Sequence, residues 1–406
     1  MAITRWLQRS GAAALLAVTL AALSSTAAGY SQLIVFGDST VDSGYYRALA
    51  DPGASGATFS SLWSAAVAAG AGVPTSSPGR MYPQVLASYL GLSANPANQA
   101  GGSNYATSGA KNVDVNTTAN GGFRAAVPTV TQIANYLSAQ GNRADPNALY
   151  LISSGGNDTS FAAGQTGSGP YPGDPTAYVT SRASSLALAI ASLKTAGARS
   201  IVVAGQPASF PLNDAAQRQL KAAANQALFT GLASQGVTVI QADIDSVRLS
   251  IYNNPAQYGF TTVSNAAGST ACVAPSGVTS AWGLLCSASP GAPAPFATPT
   301  ADLTRLFADD QHLATAGQKI IADYIFALLN RNSSDCLFNW AEQNYAALFP
   351  APGASATSGA YYYRYYAATN AYLGTSSANN HLYYLSNAGL QDGGPMANWF
   401  TTSACQ

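Results

Sequence analysis

The sequence predicts an α/β fold in which helices cover both faces of a parallel sheet. Short apolar runs of strand length alternate along the chain with longer segments whose apolar residues recur at spacings of three and four. Strands that alternate with helices favour a parallel sheet, because the helix between two strands carries the chain back to the same end of the sheet. Such sheets are buried on both faces, which explains why the strand-like runs are apolar.

Each predicted element follows from this pattern, in chain order. The predicted strands are residues 32–36, 148–152, 200–204 and 237–241. The predicted helices are residues 81–90, 129–140, 177–196, 215–233 and 314–329. Residues 255–300 are rich in Pro, Gly, Ser and Ala and are predicted to form a long ordered loop before the last helix. Loops of this kind act as binding walls or are surface insertions without a role, and both interpretations stay open.

The composition changes towards the end of the chain, and we predict a large domain at residues 29–332 and a small one at 333–406. Within the small domain, residues 335–349 predict a short amphipathic helix and residues 350–359 a linker-like turn region. Aromatic runs predict strands at residues 361–366, 371–373 and 381–385. Tyrosine-rich strands can bind a polymer or a surface by stacking, but a small domain also needs aromatic side chains for its core.

The first 28 residues have the features of a secretory signal peptide. Arg5 and Arg9 precede an apolar run at residues 11–23, and small residues follow that run up to Ala28. The run is shorter than the roughly 20 apolar residues that a membrane span needs. We therefore expect cleavage near Ala28, a secreted protein (extracellular or periplasmic), and no integral membrane span.

The charge pattern argues against nucleic acid as a partner. The formal net charge is zero, only 8% of the residues are charged, and no basic run occurs. Neutral small molecules or lipids are the partners that this composition favours.

The cysteine pattern favours disulfides over a metal site. The four cysteines are Cys272, Cys286, Cys336 and Cys405. An even number in a secreted chain favours disulfides, and we prefer the sequential pairing of Cys272 with Cys286 and of Cys336 with Cys405. No C-x-x-C motif occurs and the chain has only two histidines, so we predict no metal and no cofactor.

Two segments point to a serine nucleophile with a histidine base. Gly37-Asp38-Ser39 follows the first predicted strand, at the sheet edge where ligands bind in such folds. Asp309 precedes His312 by three residues, a spacing that can place the carboxylate beside Nδ1 and leave Nε2 for Ser39. The other histidine, His381, lies in the aromatic segment near the end of the chain and is predicted to be structural.

Two further segments supply donors for the oxyanion that acyl transfer creates. Residues 104–110 place Gly109 in a loop, where its backbone N–H can approach a ligand closely. Residues 155–158 follow a predicted strand and offer the side-chain amide of Asn157 at the same sheet edge. The predicted oxyanion hole therefore consists of the N–H of Ser39, the N–H of Gly109 and the amide of Asn157.

Taken together, these segments resemble the SGNH hydrolase superfamily in its GDSL lipase and esterase branch. The matching blocks stand in family order at residues 37–44, 104–110, 155–158 and 309–312. The resemblance implies a flavodoxin-like three-layer α/β/α sandwich with a parallel sheet. It also implies that Ser39 is the nucleophile, that His312 is the general base oriented by Asp309, and that Gly109 and Asn157 complete the oxyanion hole.

Three nearby residues have plainer interpretations. Thr40 replaces the leucine that is usual in the family, but it lies beside the catalytic set. Asp38 lies in a strand-to-helix turn, where a turn or capping role is more common than a role as a second acid. Asp310 adjoins Asp309, but only the three-residue offset of Asp309 matches the family block. The chain has no G-x-S-x-G motif, so the α/β-hydrolase elbow is not the source of the serine.

The predicted function is that of a secreted serine hydrolase, an esterase or lipase. It would cleave a small-molecule or lipid ester through an acyl-serine intermediate. One alternative is a lipid acyltransferase of the same fold, in which an alcohol accepts the acyl group. Another is a surface-binding protein whose C-terminal module is the working part. The sequence specifies neither the acyl chain nor the alcohol of the substrate.

Overall fold

A computed structural model forms two compact units, one at Tyr30–Ile325 and one that begins at Phe326. The predicted signal peptide at residues 1–28 and Cys405 lie outside the described residues. The structure describes residues 30–53, 57–117, 121–165, 171–279, 281–344, 347, 349–350, 353–358, 361–376, 381–386 and 389–395.

The larger unit contains a parallel sheet with helices between its strands. The strands are β1 (Leu33–Gly37), β2 (Leu149–Ser153), β3 (Ser200–Ala204) and β4 (Ile240–Ala242), which pair in that order. The helices are α1 (Ala57–Ala68), α2 (Tyr82–Tyr89), α3 (Thr129–Ala139), α4 (Gly156–Ala162), α5 (Pro175–Thr195), α6 (Ala215–Ser234), α7 (Ile244–Asn253), α8 (Ala301–Thr304) and α9 (Thr315–Asn344). The predicted α/β class with a parallel sheet is confirmed.

A short segment beyond β1 completes the flavodoxin-like order. Asn104 forms an isolated parallel bridge with Val35. The backbone N–H of Tyr105 donates to Val35 O at 2.8 Å, and the N–H of Thr107 donates to Gly37 O at 3.2 Å. The segment therefore flanks β1 opposite β2, which gives the strand order 2-1-3-4-5 of flavodoxin-like folds.

The strands are buried on both faces, which accounts for their continuous apolar character. One face contributes residues to a cluster that includes side chains from α3, α5 and α6; its strand members are Ile34, Phe36, Tyr150, Ile152, Ile201 and Val203. The alternate residues on the other face are also buried: Leu33, Val35, Leu149, Leu151 and Val202. This sheet, covered on both sides, is the predicted three-layer sandwich.

Helix α9 corrects one prediction. It runs from Thr315 to Asn344, so residues 335–344 are helical as predicted, but they continue the helix predicted at 314–329 and do not form a separate one, because residues 330–334 do not interrupt it. Those residues are Asn, Arg and Ser, which cost at most about 0.7 kcal/mol each in a helix and, unlike Pro, do not end one. The predicted domain boundary after residue 332 falls inside this helix, and the division into domains stays a prediction.

The smaller unit contains a five-stranded antiparallel sheet in sequential order. Its strands are β5 (Ala354–Ser358), β6 (Tyr361–Tyr366), β7 (Ala371–Ser376), β8 (His381–Ser386) and β9 (Gly389–Pro395). The three aromatic runs form strands as predicted, whereas the linker predicted at residues 350–359 was wrong because it contains β5. Phe338, Ala341, Tyr366 and Leu373 form a buried cluster, so part of the aromatic content builds a core. Binding by this module stays a prediction.

A disulfide joins Cys272 to Cys286, with a Cα–Cα distance of 5.8 Å. This pair is confirmed. The pairing of Cys336 with Cys405 stays a prediction, because the side chain of Cys336 and the whole of Cys405 lie outside the described residues. Within the ranges given above, every helix is too short or too polar to cross a membrane.

Candidate active site

The turn that carries Ser39 begins directly after β1. A Cβ atom on Gly37 would lie 1.9 Å from Ser153 O, so only glycine fits at this strand end. The N–H of Gly37 donates to Gln132 Oε1, and Gln132 Nε2 donates to Gly37 O, each at 2.8 Å. Gln132 is buried; its amide oxygen pairs the N–H of Gly37, and its Nε2 adds a second hydrogen bond to Gly37 O, which also accepts from Thr107.

Asp38 closes the turn. Its Oδ1 accepts hydrogen bonds from the N–H of Thr40 at 2.9 Å and from Thr40 Oγ1 at 2.7 Å. Burial raises the pKa of the Asp38 carboxyl, although these hydrogen bonds and His312 act to lower it. This is the geometry of a turn residue, in agreement with the plainer interpretation of Asp38.

Asp42 ties the Ser39 turn to the loop that carries Gly109. Its Oδ1 accepts from the N–H groups of Gly44 and Tyr45, each at 2.8 Å. Its Oδ2 accepts from the N–H of Ser108 at 2.8 Å and from Ser108 Oγ at 2.7 Å. The Asp42 carboxylate is fully buried, so these four donors replace the water that it has lost.

The three predicted oxyanion donors differ in whether a hydrogen-bond acceptor already occupies them. Within the described residues, the backbone N–H groups of Ser39 and Gly109 have no acceptor. Gly109 has a φ of +79°, in the left-handed region that favours glycine. Asn157 Nδ2 donates to Ala110 O at 3.0 Å, which holds α4 against the Gly109 loop. The second amide hydrogen of Asn157 has no acceptor in the part of the chain that the structure describes.

The turn that carries His312 is organised by Asp309. Asp309 Oδ1 accepts from the N–H of Gln311 at 2.9 Å and from the N–H of His312 at 2.6 Å. The two carboxylate oxygens of Asp309 lie 3.0 and 2.8 Å from His312 Nδ1. The carboxylate can only accept, so Nδ1 carries the proton and Nε2 is left as the acceptor.

The electrostatics of the Asp309–His312 pair suit a general base. Burial acts to raise the pKa of the Asp309 carboxyl, but His312 and the backbone donors outweigh it and lower that pKa below its ordinary value. Burial acts to lower the pKa of His312, but Asp309, Asp310 and Asp38 outweigh it and raise that pKa. Asp310 is solvent-exposed and influences the ring only through its charge, so Asp309 is the residue that orients it.

The disulfide-bonded loop supports Asp309. The N–H of Gly283 donates to Asp309 Oδ2 at 2.6 Å, and Gly283 lies between Cys272 and Cys286 in the chain. A Cβ atom on Gly283 would lie 3.0 Å from that same oxygen, so a larger residue would crowd the carboxylate. Part of the segment 255–300, whose role the sequence left open, therefore holds the turn that carries His312 in place.

Ser39, Asn157 and His312 line one cavity of about 400 Å³. Gly109 does not line it but adjoins it through the hydrogen bond between Asn157 and Ala110. Within the described residues no hydrogen bond joins Ser39 to His312, and contacts of this kind often tighten only when substrate is bound. The arrangement brings a serine, an oriented histidine and candidate oxyanion donors to one edge of the sheet.

The family model described as GDSL-like lipase/acylhydrolase matches residues 33–325. The chain belongs to this family. Esterase EstA of Pseudomonas aeruginosa is 31% identical over 348 residues, which cover 79% of this chain and 50% of that protein. Lipase 1 of Photorhabdus luminescens is 29% identical over 194 residues, which cover 48% of this chain and 24% of that protein. The chain spans about half the length of the curated relatives that match it over most of its own length.

The buried carboxyl of Asp158 also supports the site. Asp158 Oδ2 accepts from the N–H of Asn112 at 2.8 Å, which joins α4 to the segment after the Gly109 loop. Burial raises the pKa of Asp158 to about 7, although the Asn112 N–H and Lys111 act to lower it. No local pattern in the sequence predicts the supporting roles of Asp158, Gln132 and Gly283, because each partner lies far away in the chain.

Proposed function

We propose that this protein is a secreted serine hydrolase that cleaves carboxylic esters through an acyl-serine intermediate. The observation that carries the proposal is the His312–Asp309 pair, which leaves Nε2 available in the cavity that Ser39 also lines. Membership of the GDSL-like family and the esterase and lipase names of relatives support it.

In the proposed mechanism, Ser39 Oγ attacks the ester carbonyl while His312 Nε2 removes its proton. His312 then protonates the leaving alcohol, and the acyl group stays on Ser39. A water molecule that gives a proton to His312 attacks the acyl-serine and releases the acid. Asp309 holds the imidazole in the required tautomer and stabilises the imidazolium that forms in each step.

The oxyanion of each tetrahedral intermediate needs donors that are in place before the reaction. The N–H groups of Ser39 and Gly109 suit this role because no acceptor in the described residues occupies them. Asn157 suits it because its amide has one hydrogen bonded to Ala110 O and one that no described residue accepts. The Asp42 and Asn157 hydrogen bonds fix the relative positions of these three donors.

Secretion is part of the proposal. The Cys272–Cys286 disulfide supports it, since disulfides persist in oxidising compartments. The signal peptide at residues 1–28 and cleavage near Ala28 stay predictions. Neither acyl transfer to an alcohol nor surface binding by the C-terminal module is favoured by a specific contact in the described residues.

The test is hydrolysis of p-nitrophenyl esters, from acetyl to palmitoyl, by the purified protein and by Ser39→Ala. We expect the variant to lose activity by a factor of about 10⁴ or more, as loss of a triad member does. Ser160→Ala is the matched control, because Ser160 is another serine that lines the cavity, and it should retain activity within a few-fold. Full activity in a folded Ser39→Ala variant would refute the proposed mechanism.

A further inference from the structure

Arg248, on helix α7, lines the same cavity as Ser39 and His312. Its Nε atom is buried and has no hydrogen-bond partner within the described residues. Burial lowers the pKa of Arg248 to about 10, so the guanidinium still carries its charge at neutral pH. A buried N–H without a hydrogen-bond partner is costly, so the Nε–H of Arg248 indicates that a ligand supplies the missing acceptor.

Two aromatic rings fix the guanidinium of Arg248. Its Cζ lies 5.8 Å from the ring centroid of Phe210 and 5.9 Å from that of Phe307, and both rings line the cavity. Cation–π contacts use the charge but do not use the N–H groups in the plane of the guanidinium. Those N–H groups form a fork that matches the two oxygens of a carboxylate or a phosphate.

Tyr82 adds a second unused donor. Its hydroxyl is buried and lines the cavity, and within the described residues no hydrogen-bond partner lies within 3.5 Å of it, although the Ser153 side chain acts on it from farther away. Burial raises the pKa of Tyr82, so its hydroxyl stays protonated and can donate. Tyr82 and Arg248 line the same cavity and also interact electrostatically.

The cavity lining contains two basic side chains, Arg248 and Lys221, and two carboxyls, Asp38 and Asp310. Asp245 is the carboxylate that acts on Arg248, but both of its oxygens accept from the N–H of Ser209, at 3.0 and 2.8 Å. Lys221 lines the cavity and donates to Asn213 Oδ1 at 2.9 Å. Burial, followed by Arg248, lowers the pKa of Lys221 to about 8. Asp38 adjoins Ser39 and acts electrostatically on both Tyr82 and Lys221, whereas Asp310 lies two residues before His312.

We propose that Arg248 and Tyr82 form a subsite that binds an anionic carboxylate or phosphate group carried by the ester substrate, with Lys221 adding positive charge. The inference rests on the proposed function, because it gives that same cavity its substrate class. A neutral aliphatic ester would leave the buried Nε–H of Arg248 unpaired when it fills the cavity. An anionic ester would satisfy this group and be oriented by it.

The experiment compares two matched pairs of esters. In the first pair, mono-p-nitrophenyl adipate differs from p-nitrophenyl hexanoate only by a carboxylate in place of the terminal methyl group. In the second pair, hexanoylglycerol phosphate differs from monohexanoylglycerol by a phosphate on the alcohol. The ratio of kcat/KM for the anionic ester to kcat/KM for the neutral ester is measured in the wild type, Arg248→Gln and Tyr82→Phe.

We expect Arg248→Gln to lower this ratio by about 10- to 100-fold in at least one pair, because a charge-assisted fork is lost. Tyr82→Phe should lower it in the same pair by a smaller factor, and it keeps the test decisive if Arg248→Gln fails to fold. The pair that responds identifies the anion as a carboxylate or a phosphate. Arg199→Gln is the control: Arg199 is exposed and does not line the cavity, so the ratio should not change.

An unchanged ratio in both pairs for a folded Arg248→Gln variant would overturn the subsite. If the wild type hydrolyses none of the esters, the proposed function fails, and calorimetric titration with adipate and with glycerol phosphate then decides the subsite by itself. Binding to the wild type that is lost in Arg248→Gln supports it, and no binding to the wild type overturns it.

Discussion

The turn that carries Ser39 and the turn that carries His312 line one cavity, but different kinds of contact hold them. The Ser39 turn is held by buried side-chain hydrogen bonds that join distant parts of the chain, from Gln132 to Gly37 and from Asp42 to Ser108. The His312 turn is held mainly by Asp309, three residues away, with one further contact from Gly283.

This difference predicts that changes to the Ser39 turn mainly lower stability, whereas changes to the His312 turn mainly lower the reaction rate. The bonds around Ser39 connect β1, α3 and the Gly109 loop, so losing them weakens the fold of the larger unit. The bonds around His312 are local and orient one imidazole, so losing them lowers the rate more than it lowers stability. Ser39, the proposed nucleophile, is therefore positioned by the fold, and His312, the proposed base, is positioned by its own turn.

The largest expected effect is a loss of activity when Asp309, beside His312, is replaced. Asp309→Asn retains an oxygen for the backbone donors but no longer favours the tautomer with the proton on Nδ1. We expect kcat to fall by about 10⁴-fold, with a smaller change in the free energy of unfolding than Asp42→Ala causes. Asp310→Asn is the control, since Asp310 is exposed, and it should stay within a few-fold of wild type. Comparable losses in the two variants would show that Asp309 does not orient the base.

The next largest expected effect is a loss of stability when Asp42, beside the Ser39 turn, is replaced. Asp42→Ala removes a buried carboxylate and leaves its backbone and hydroxyl donors unpaired. We expect the free energy of unfolding in urea to fall by about 3 to 5 kcal/mol. Asp174→Ala removes the same side chain from the exposed N-cap of α5 and should cost only about 1 kcal/mol. A similar cost for both variants would remove the contrast between the two turns.

Removing the disulfide sharpens the comparison further. In the double variant Cys272→Ala/Cys286→Ala, we expect a loss of about 3 kcal/mol in the free energy of unfolding, as the chain-entropy model gives for a loop of this size. Because Gly283 supports Asp309 from within that loop, kcat should also fall. The measurements are urea unfolding and ester hydrolysis at a temperature where the variant stays folded. An unaltered kcat would show that Asp309 needs no support from the loop.

The smallest effect is a shift in pH dependence. His312 must be neutral to accept a proton, so kcat/KM should fall as the pH drops through the pKa of His312, which is raised above its ordinary 6.5. Asp310 helps to raise that pKa, so Asp310→Asn should move the midpoint of the profile to lower pH. Initial rates between about pH 5 and pH 9, which bracket the ordinary histidine pKa, give both midpoints. A wild-type midpoint below 6.5 would contradict this electrostatic description.

The sequence predicted the parts of the molecule that are set locally. The parallel sheet, the position of Ser39 after β1 and the approach of Asp309 to His312 follow from apolar runs and short spacings. The bracing by Gln132 and Gly283 could not be predicted, because each side chain or N–H meets its partner only through the tertiary fold. Helix α9 was wrongly divided because a polar stretch was taken for a helix end, although it contains neither Pro nor Gly.

The central claim is that His312 activates Ser39 as a nucleophile. The most direct test is labelling of the intact protein with a fluorophosphonate, followed by mass spectrometry of its peptides. We expect a single adduct on Ser39 in the wild type, and labelling slower by orders of magnitude in a folded His312→Ala variant, because the hydroxyl lacks its base. An adduct on a different serine, or equal labelling rates in the two proteins, would contradict the claim.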